Sequence, residues 1–450
     1  MTRLTEHLIV VSFDCLSSLD YPLLQELPHF RRLLDEGALC RNVRTIYPSV
    51  TYPCHASIVT GNYPKRHGII NNTLIQPGRP SPDWYWHRSH IQGTTLYDEA
   101  KAAGLTTAAL LWPVTAKANI DYNLPEIFAN RPWHHQIMVS LMNGTPLYQM
   151  DLQRRFGSIR NGLEQPALDA FVLESAVHTI RTKKPGLTLI HFTDLDTMRH
   201  YHGFSSKEAV DAIHRHDDRL GRIMHALDES GCEYTLIALG DHSALDEETA
   251  IQLNVCFKQK GWITCDRKGK VTDWQVYAKG CDGSSYVYVR DDRLMDEIHQ
   301  LLKALQKEEG IEAIITGYEA GLMGADGSAA FMLEAERGYY FKDFTEGHFL
   351  HRISPEDVKD RTYTWGSHGY SPFKEQYGTI FMAMGKGIRK TEIPVMNLVD
   401  EGPTMARLLG LDLGNTDGIC RDELLDAANI EQEDQKDEKI HKRREQLDPL

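Results

Sequence analysis

The stretch HLIVVSFD, residues 7–14, is a short run of apolar residues that stops abruptly at an acidic one. Similar runs recur along the chain: TTAALLW at 106–112, LTLIHFTD at 187–194, YTLIALGD at 234–241 and YGTIFMAMG at 377–385. Near-continuous apolar runs of this kind are typical of strands buried on both faces, as in a parallel sheet. Helical patterns lie between them, for example at 21–37 and 206–231. The sequence therefore predicts an α/β fold with a mostly parallel sheet and helices on both faces.

Two stretches interrupt this alternation. Residues of about 126–165 are rich in aromatic, histidine and amide side chains, and we interpret them as a helical insertion. Residues 256–345 contain strand-like and helix-like segments in a βαβ-like order, which predicts a smaller inserted α+β cap domain. The predicted catalytic domain is then formed by residues 1–255 together with 346–428, and residues 429–450 are interpreted as a charged C-terminal tail.

The charge balance limits the kinds of partner. With 49 Lys+Arg against 63 Asp+Glu, the 450-residue chain has a formal net charge of −14. This argues against nucleic acid, or an anionic membrane surface, as a stable partner. A small phosphorylated substrate, such as a nucleotide, stays compatible with the charge, because a bound metal ion can reverse the local field. The oligomeric state stays open.

The N-terminal sequence and the cysteines bear on the cellular compartment. The apolar stretch 8–11 is too short for a secretory signal, and no run of about 18 apolar residues predicts a membrane-spanning helix. The eight cysteines are scattered without a C-x-x-C pair, which favours free thiols over a disulfide framework. We therefore expect a soluble, cytoplasmic protein.

Acidic and histidine residues follow several of the predicted strands or lie in a glycine-flanked loop: Asp14, Asp196, His200, Asp241, His242 and His368. Ligands bind beyond the carboxyl ends of the strands in such sheets, and so many anionic groups together require cations. Mixed Asp and His ligation suits Zn²⁺, although Mn²⁺ accepts similar sets. Two sites of three protein ligands each would use all of these residues, and paired metal ions about 3.5–4 Å apart clamp an in-line phosphoryl displacement.

A threonine supplies a candidate nucleophile. Thr51 lies between an extended segment and a predicted helix over residues 53–60, with Pro53 near the first turn. Its hydroxyl would therefore point from a helix N-terminus, where backbone N–H groups favour anions. Metal coordination would also lower the pKa of the hydroxyl, which an isolated threonine needs before it can attack.

These residues stand in an ordered pattern that resembles a known family. The segments VVSFD, TYPCH, TGNYP, HGIINN, D-x-x-x-H, GDHS and SHGY follow one another as in the alkaline phosphatase superfamily. The pattern is most similar to the type I phosphodiesterase / nucleotide pyrophosphatase family, and the resemblance covers about residues 5–125, 175–255 and 345–425. The sequence departs from the family pattern at four positions: Cys15, Cys54, Gly240 and Ser243. These departures affect the expected substrate more than the expected metal binding.

The resemblance implies a role for each site residue. It divides the six ligands between two metal ions: Asp196, His200 and His368 for the first, and Asp14, Asp241 and His242 for the second. It implies that Thr51 touches the second metal, attacks phosphorus and is esterified, before water hydrolyses the phosphothreonine. It also implies that Asn72 binds a non-bridging phosphate oxygen. The expected protein is an alkaline-phosphatase-like enzyme with two Zn²⁺ ions that hydrolyses phosphodiester or nucleotide pyrophosphate bonds.

Other activities of the same superfamily, which would use the same metal ions, stay open. They are phosphonoacetate-type hydrolysis, phosphomonoester hydrolysis and phosphomutase activity. The inserted block at 256–345 is expected to decide among them, because it would cover the pocket and select the group beyond phosphorus. A non-catalytic metal- or nucleotide-binding protein is a hypothesis of another class, which the presence of every expected ligand and of the nucleophile disfavours.

Several neighbouring residues compete for the same roles. The alternatives to His200, Asp196 and Asn72 are, respectively, His202, Asp194 and Asn71. His214 and His216 resemble a metal pair, but residues two positions apart on a helix point to different faces. We therefore interpret these two histidines as part of a solvated helix face.

Overall fold

The computed structural model alternates strands and helices through most of the chain. It describes residues 2–79 and 81–426, so the predicted tail at 429–450 lies outside the described residues. The strands within them are β1 (His7–Phe13), β2 (Ala38–Arg44), β3 (Thr107–Leu110), β4 (Tyr122–Leu124), β5 (Leu187–Phe192), β6 (Tyr234–Leu239), β7 (Leu245–Ile251), β8 (Ile263–Cys265), β9 (Val271–Trp274), β10 (Val276–Cys281), β11 (Ser284–Val289), β12 (Ile311–Thr316), β13 (Phe331–Ala335), β14 (Gly338–Phe341), β15 (Leu350–Arg352), β16 (Gly366–Ser367), β17 (Thr379–Gly385), β18 (Thr391–Ile393) and β19 (Met396–Asn397). The α-helices are α1 (Tyr21–Leu24), α2 (Pro28–Glu36), α3 (Thr51–Thr60), α4 (Pro64–His67), α5 (Leu96–Ala102), α6 (Gln136–Asn143), α7 (Pro146–Phe156), α8 (Ala167–Lys183), α9 (Asp194–His202), α10 (Lys207–Ser230), α11 (Leu253–Gln259), α12 (Met295–Gln306), α13 (Gly317–Leu322), α14 (Pro355–Lys359) and α15 (Glu401–Leu408).

The largest sheet has the strand order β18-β2-β17-β6-β1-β5-β3-β4, and β19 also pairs with β2. The strands from β6 to β4 in this order are parallel to one another. Strand β17 runs antiparallel to both β6 and β2. The predicted α/β class with a mostly parallel sheet is therefore confirmed.

Apolar side chains fill both faces of this sheet. In β1, Ile9, Val11 and Phe13 belong to one core cluster, whereas Leu8 and Val10 belong to another. Successive side chains of a strand point to opposite faces, so the two clusters lie on opposite sides of the sheet. Helices α2, α8 and α10 cover the first face, and α3, α5 and α15 cover the second. Burial on both faces is why the strands appear as uninterrupted apolar runs.

A second sheet forms within the stretch 256–345. Its strand order is β10-β11-β13-β12, and every pairing is antiparallel. Helix α12 packs against it through Ile298 and Leu302, which share a core with Leu333. The βαβ-like order in the sequence therefore does not produce a parallel pair, because β13 separates the strands on either side of α12.

The described residues also bear on the cysteines and on membrane insertion. The eight cysteines all lie within them, and each is a free thiol. Cys15, Cys54 and Cys281 are buried. In residues 2–79 and 81–426, no helix combines the length and the apolar character needed to cross a membrane.

Candidate active site

The carboxyl ends of β1, β5 and β6 meet at one edge of the main sheet. Phe13 is in register with Phe192, and Ser12 is in register with Leu239, so the three strands end side by side. Asp14 follows β1 directly, α9 begins soon after β5, and the Asp-His pair follows β6 after a single glycine. The sheet topology therefore brings together segments that are far apart in the sequence.

Thr51 is the first residue of α3, two residues before the helix start that the sequence predicts. The preceding Val50 is extended, with φ −116° and ψ 151°. Pro53 lies in the first turn, where its missing N–H would have no helical partner in any case. Thr51 is only 7% exposed, and its Oγ1 lies 3.3 Å from Nε2 of His242. The hydroxyl thus faces the predicted metal ligands.

One group of candidate ligands surrounds Nε2 of His242. This atom lies 3.2 Å from Oδ1 of Asp14, 3.3 Å from Oδ2 of Asp241 and 3.3 Å from Oγ1 of Thr51. Tetrahedral ligands about 2.0–2.1 Å from a Zn²⁺ ion are separated from one another by about 3.3 Å. Each of the three oxygens therefore lies from the His242 nitrogen at the distance expected between two zinc ligands, and ligand atoms of Asp14, Asp241 and His242 all lie within 4.8 Å of one another.

Two carboxylate oxygens in this group lack hydrogen-bond partners. Among the described residues, Oδ1 of Asp14 and Oδ2 of Asp241 are buried and make no hydrogen bond, although they lie 3.2 and 3.3 Å from Nε2 of His242. Burial and the nearby Asp14 carboxylate raise the pKa of Asp241 to about 7. Buried charges in proteins are usually paired or coordinate metals, because an isolated one is costly. The residues present therefore fit a divalent metal ion.

A second group of candidate ligands consists of Asp196, His200 and His368. Asp196 and His200 are one turn apart on α9, and Oδ2 of Asp196 lies 3.2 Å from Nε2 of His200. His368 follows β16, and its Nε2 lies 3.8 Å from Oδ1 of Asp196. The other ring nitrogen of His200 is 2.8 Å from the carbonyl oxygen of Gly366. Such a contact on the far nitrogen fixes the orientation of metal-binding histidines.

The surroundings of His200 and His368 shift the pKa values of these two histidines in opposite directions. Although burial opposes the shift, the Asp196 carboxylate raises the pKa of His200 to about 9. Burial and the neighbouring His242 lower the pKa of His368 to about 4. A histidine binds a metal ion only in its neutral form, so metal binding releases the proton of the imidazole. Metal ions would therefore replace the protons that the neighbouring carboxylates stabilise on histidines such as His200.

Asn72 and Asn71 differ in what their amides contact. Oδ1 of Asn72 accepts a hydrogen bond from the N–H of Tyr52 at 2.8 Å, which leaves its NH₂ group as a donor at the cavity beside Thr51. The Asn71 amide donates to the carbonyl oxygen of Gly280 and accepts from the N–H of Asn72. Of these two residues, Asn72 is the one with a donor available to a phosphate oxygen.

Asp194 and His202, the alternatives to Asp196 and His200, belong to neither ligand group. Both oxygens of Asp194 accept hydrogen bonds from arginines of α10, at 2.7–2.8 Å. His202 is exposed at the end of α9. The structure therefore brings together the residues that the D-x-x-x-H spacing favours.

The interpretation of His214 and His216 as a solvated helix face is wrong for His216. His214 is exposed, but His216 is fully buried. The His216 ring lies 4.7 Å from that of Phe13, and its Nδ1 is 3.0 Å from Nη1 of Arg219. The buried face of α10 is wide enough to include this position, so His216 is a core residue.

Three further side chains border the ligand groups, and the sequence pattern does not single them out. Nε2 of His191 lies 3.2 Å from Oδ2 of Asp14, and its Nδ1 lies 3.2 Å from Oε2 of Glu126. Asp282 occupies the turn between β10 and β11, with Oδ2 3.9 Å from Nδ1 of His368. The one signal in the sequence is that His191 interrupts an otherwise apolar strand; Glu126 and Asp282 lie in loops.

A cavity of about 350 Å³ opens beside these residues. Thr51, Asn72 and Asp196 line it, together with the aromatic side chains of Trp84 and Phe128. Cavities of this size, mostly apolar with a few polar groups, bind small molecules. The metal-ligand groups and the candidate nucleophile are thus open to a small substrate.

The chain is similar in sequence to nucleotide pyrophosphatases. It is 26% identical over 229 residues to ectonucleotide pyrophosphatase/phosphodiesterase family member 1 of Homo sapiens, a match that covers 48% of this chain and 21% of that protein. It is 23% identical over 435 residues to the bis(5'-adenosyl)-triphosphatase ENPP4 of Bos taurus, covering 90% of this chain and 78% of that protein. The chain therefore spans about a fifth of the length of the human relative.

Solved structures share the fold. Murine ectonucleotide pyrophosphatase/phosphodiesterase 5 matches with a TM-score of 0.65 at 18% identity, covering 93% of this chain and 100% of that one. An inactive variant of the murine protein, in complex with AMP, gives a TM-score of 0.65 at 19% identity. These matches confirm the alkaline-phosphatase-like fold. The model of the family described as type I phosphodiesterase / nucleotide pyrophosphatase matches residues 8–371. The chain therefore belongs to the type I phosphodiesterase / nucleotide pyrophosphatase family, as its ordered motifs indicate.

Proposed function

We propose that this protein is a two-metal phosphohydrolase that cleaves phosphodiester or nucleotide pyrophosphate bonds through a phosphothreonine formed on Thr51. One observation carries the proposal: oxygens of Thr51, Asp14 and Asp241 converge on a single nitrogen of His242 at 3.2–3.3 Å. That arrangement places a hydroxyl where a metal ion could activate it. Membership of the family supports the class of bond that is cleaved.

The donor atoms suit two metal ions. Thr51, Asp14, Asp241 and His242 would hold one of them, and the set of Asp196, His200 and His368 would hold the other. Aspartate and imidazole together favour Zn²⁺, and Mn²⁺ accepts similar sets. When bound, such ions lower the pKa of the hydroxyl and neutralise charge that develops on the phosphoryl oxygens.

The reaction consists of two successive displacements, with Thr51 as the nucleophile of the first and the leaving group of the second. The oxygen of Thr51 forms a bond to phosphorus while the bond to the leaving oxygen breaks, and the leaving group keeps the electron pair. Water then forms a bond to the same phosphorus, the bond to Oγ1 of Thr51 breaks, and the hydroxyl is restored. Asn72 donates its free NH₂ group to a non-bridging oxygen, and such a donor acts most strongly on the charge of the transition state.

A nucleotide is the favoured substrate class. The bovine relative is a bis(5'-adenosyl)-triphosphatase, and the murine structure of the same fold holds AMP. The cavity beside Thr51 has aromatic and aliphatic walls, including Trp84 and Phe128, which suit a flat apolar group next to a phosphate. Comparison of kcat/KM for a diester, a monoester and a phosphonate would separate this substrate class from the other chemistries of the superfamily.

The test is hydrolysis of an aryl phosphodiester by the zinc-loaded protein and by its Thr51→Ala variant. We expect the variant to lose turnover, because it lacks the hydroxyl that lies 3.3 Å from Nε2 of His242. Thr60→Ala is the matched control, since Thr60 is a buried threonine of the same helix whose hydroxyl donates to the carbonyl of Ala56. Undiminished hydrolysis by Thr51→Ala would reject the proposal.

A further inference from the structure

One cationic side chain in the cavity has no partner among residues 2–79 and 81–426. Arg160 lies in the helical insertion, beyond α7, and lines the same cavity as Thr51 and Asn72. Its guanidinium carbon is 5.1 Å from the centroid of the Phe171 ring, and the side chain makes no hydrogen bond or ion pair with the described residues. Arg160 is also the one lysine or arginine among the described residues that line the cavity.

Two other polar side chains of the cavity, Glu126 and Gln136, already have partners. The two carboxylate oxygens of Glu126 lie 3.3 Å from the hydroxyl of Tyr52 and 3.2 Å from Nδ1 of His191. The amide of Gln136 donates to Oγ of Ser140 and to a backbone carbonyl, and it accepts from a backbone N–H. Among these groups, Arg160 is the one whose donors are left for a ligand.

The segment that carries Arg160 is held in place. The N–H of Arg160 donates to the carbonyl oxygen of Gly157, and Glu164 forms an ion pair with Arg361 at 2.8 Å. The half-buried guanidinium lies over Phe171, which is itself almost fully buried in the core. Burial lowers the pKa of Arg160, yet an arginine keeps its charge at any physiological pH. The positive charge is therefore present in the cavity before a ligand arrives.

We propose that Arg160 binds a second anionic group of the substrate, a phosphate or carboxylate beyond the scissile phosphorus. This inference rests on the proposed function and narrows it to substrates with a second negative charge. The planar guanidinium presents a fork of donors that matches two oxygens of either group. Elsewhere in the cavity the carboxylates of Glu126 and Asp282 disfavour an anion, so Arg160 marks the place that accepts one.

The test compares three compounds on the zinc-loaded protein and its Arg160→Gln variant. Phenyl 4-nitrophenyl phosphate has no second charge, 4-carboxyphenyl 4-nitrophenyl phosphate adds a carboxylate, and ATP adds phosphates. We expect kcat/KM of the variant to fall about 10- to 100-fold for a compound whose second anion Arg160 binds, as for a lost charge-assisted hydrogen bond. The diester without a second charge, phenyl 4-nitrophenyl phosphate, should change by less than about 3-fold. Which charged compound is affected identifies the anion.

Arg155→Gln is the matched control, because Arg155 is an arginine of α7 that pairs with Asp151 and does not line the cavity. It should leave all three compounds unchanged, and Arg160→Lys should restore part of the selectivity. An equal loss on all three compounds, or no loss on any, would overturn the inference about Arg160. If the wild-type protein hydrolyses none of them, the proposed function has failed. In that case the dissociation constants of the same three compounds, measured by calorimetry for the wild type and Arg160→Gln, test Arg160 instead. The affinity should fall for a compound with a second anion and stay unchanged for phenyl 4-nitrophenyl phosphate.

Discussion

Replacing Asp241 with asparagine is expected to stabilise the metal-free protein and to destabilise the metal-loaded one. The side chain is fully buried, its Oδ2 has no hydrogen-bond partner in the described residues, and its Oδ1 accepts from the N–H of Cys15 at 3.1 Å. Asparagine keeps the shape and the acceptor for Cys15 but removes the charge. Burial and the Asp14 carboxylate raise the pKa of Asp241 to about 7, against 3.8 for an ordinary aspartate. Without metal, the charge on Asp241 therefore opposes folding.

The size of this effect depends on pH in a defined direction. The folded protein holds the proton of Asp241 more tightly than the unfolded chain does, so the contribution of Asp241 to the free energy of unfolding falls as pH rises from 3.8 to about 7. Each pKa unit corresponds to about 1.4 kcal/mol, so the free energy of unfolding of Asp241→Asn should exceed that of the wild type by about 4 kcal/mol at pH 8. At pH 5 the same reasoning gives about 2 kcal/mol.

The assay is urea unfolding at pH 5 and pH 8, once with EDTA and once with saturating zinc. In zinc the order of stability should reverse, because the variant lacks a charged ligand. Asp194→Asn is the control: Asp194 is also buried, but two arginines of α10 hold its carboxylate, so its loss should destabilise the protein with or without metal. In EDTA at pH 8, an Asp241→Asn variant less stable than the wild type would refute the reasoning. So would an advantage that does not grow between pH 5 and pH 8.

Three further predictions address other residues. Asn72→Ala should lower kcat on an aryl phosphodiester by about 100- to 1000-fold, the effect of losing one transition-state donor, with zinc content unchanged by elemental analysis. Burial lowers the pKa of His67 to about 3 from 6.5, so the wild type should lose about 2 kcal/mol of stability between pH 7 and pH 5 that His67→Gln does not lose. If urea unfolding gave the wild type and His67→Gln the same change in free energy of unfolding between pH 7 and pH 5, this prediction would be contradicted. Gly369 has φ +83°, and a Cβ there would overlap the carbonyl oxygen of Cys281. Gly369→Ala should therefore displace the adjacent histidine ligand and weaken zinc binding by about 10-fold or more, measured against a chelator. Gly93→Ala, with φ +82° and open space, controls for backbone strain alone.

The fold class could be predicted because its main strands are buried on both faces. Residues 7–13, 187–192 and 234–239 are apolar almost without interruption, and runs of that length and composition are typical of strands inside a sheet. Strand direction is a different matter. Residues 379–385 form an equally apolar run that pairs antiparallel with both neighbours, because burial constrains which residues a strand contains and not which way it runs.

Some residues of the candidate site could likewise be predicted from the sequence, and others could not. The six predicted ligands and Thr51 follow strand ends or lie in a glycine-flanked loop, so position in the sequence indicates position in space. Glu126 and His191 meet only after the sheet is formed, and Asp282 reaches the cavity through a turn with φ +60° in another sheet. Arg160 ends the run RRFGSIR, which resembles any solvated basic segment. That its guanidinium makes no hydrogen bond or ion pair with the described residues can be seen only in the folded structure, so the sequence could not predict this role.

The proposed metal ions and Arg160 would give the cavity two separate positive charges. Without metal, four carboxylates (Asp14, Asp196, Glu126 and Asp282) outnumber the two cations, Arg160 and the protonated His200, among the described residues that line the cavity, so a phosphate ester would be disfavoured. Two divalent ions would cancel the aspartates that hold them and leave the region around Thr51 positive. Arg160 would then be a second positive point in the same cavity. A substrate with one negative charge could use only the first point, whereas a pyrophosphate could use both. Binding of a nucleotide pyrophosphate should therefore require metal first, and the acidic chain would select its substrate by the spacing of two negative charges.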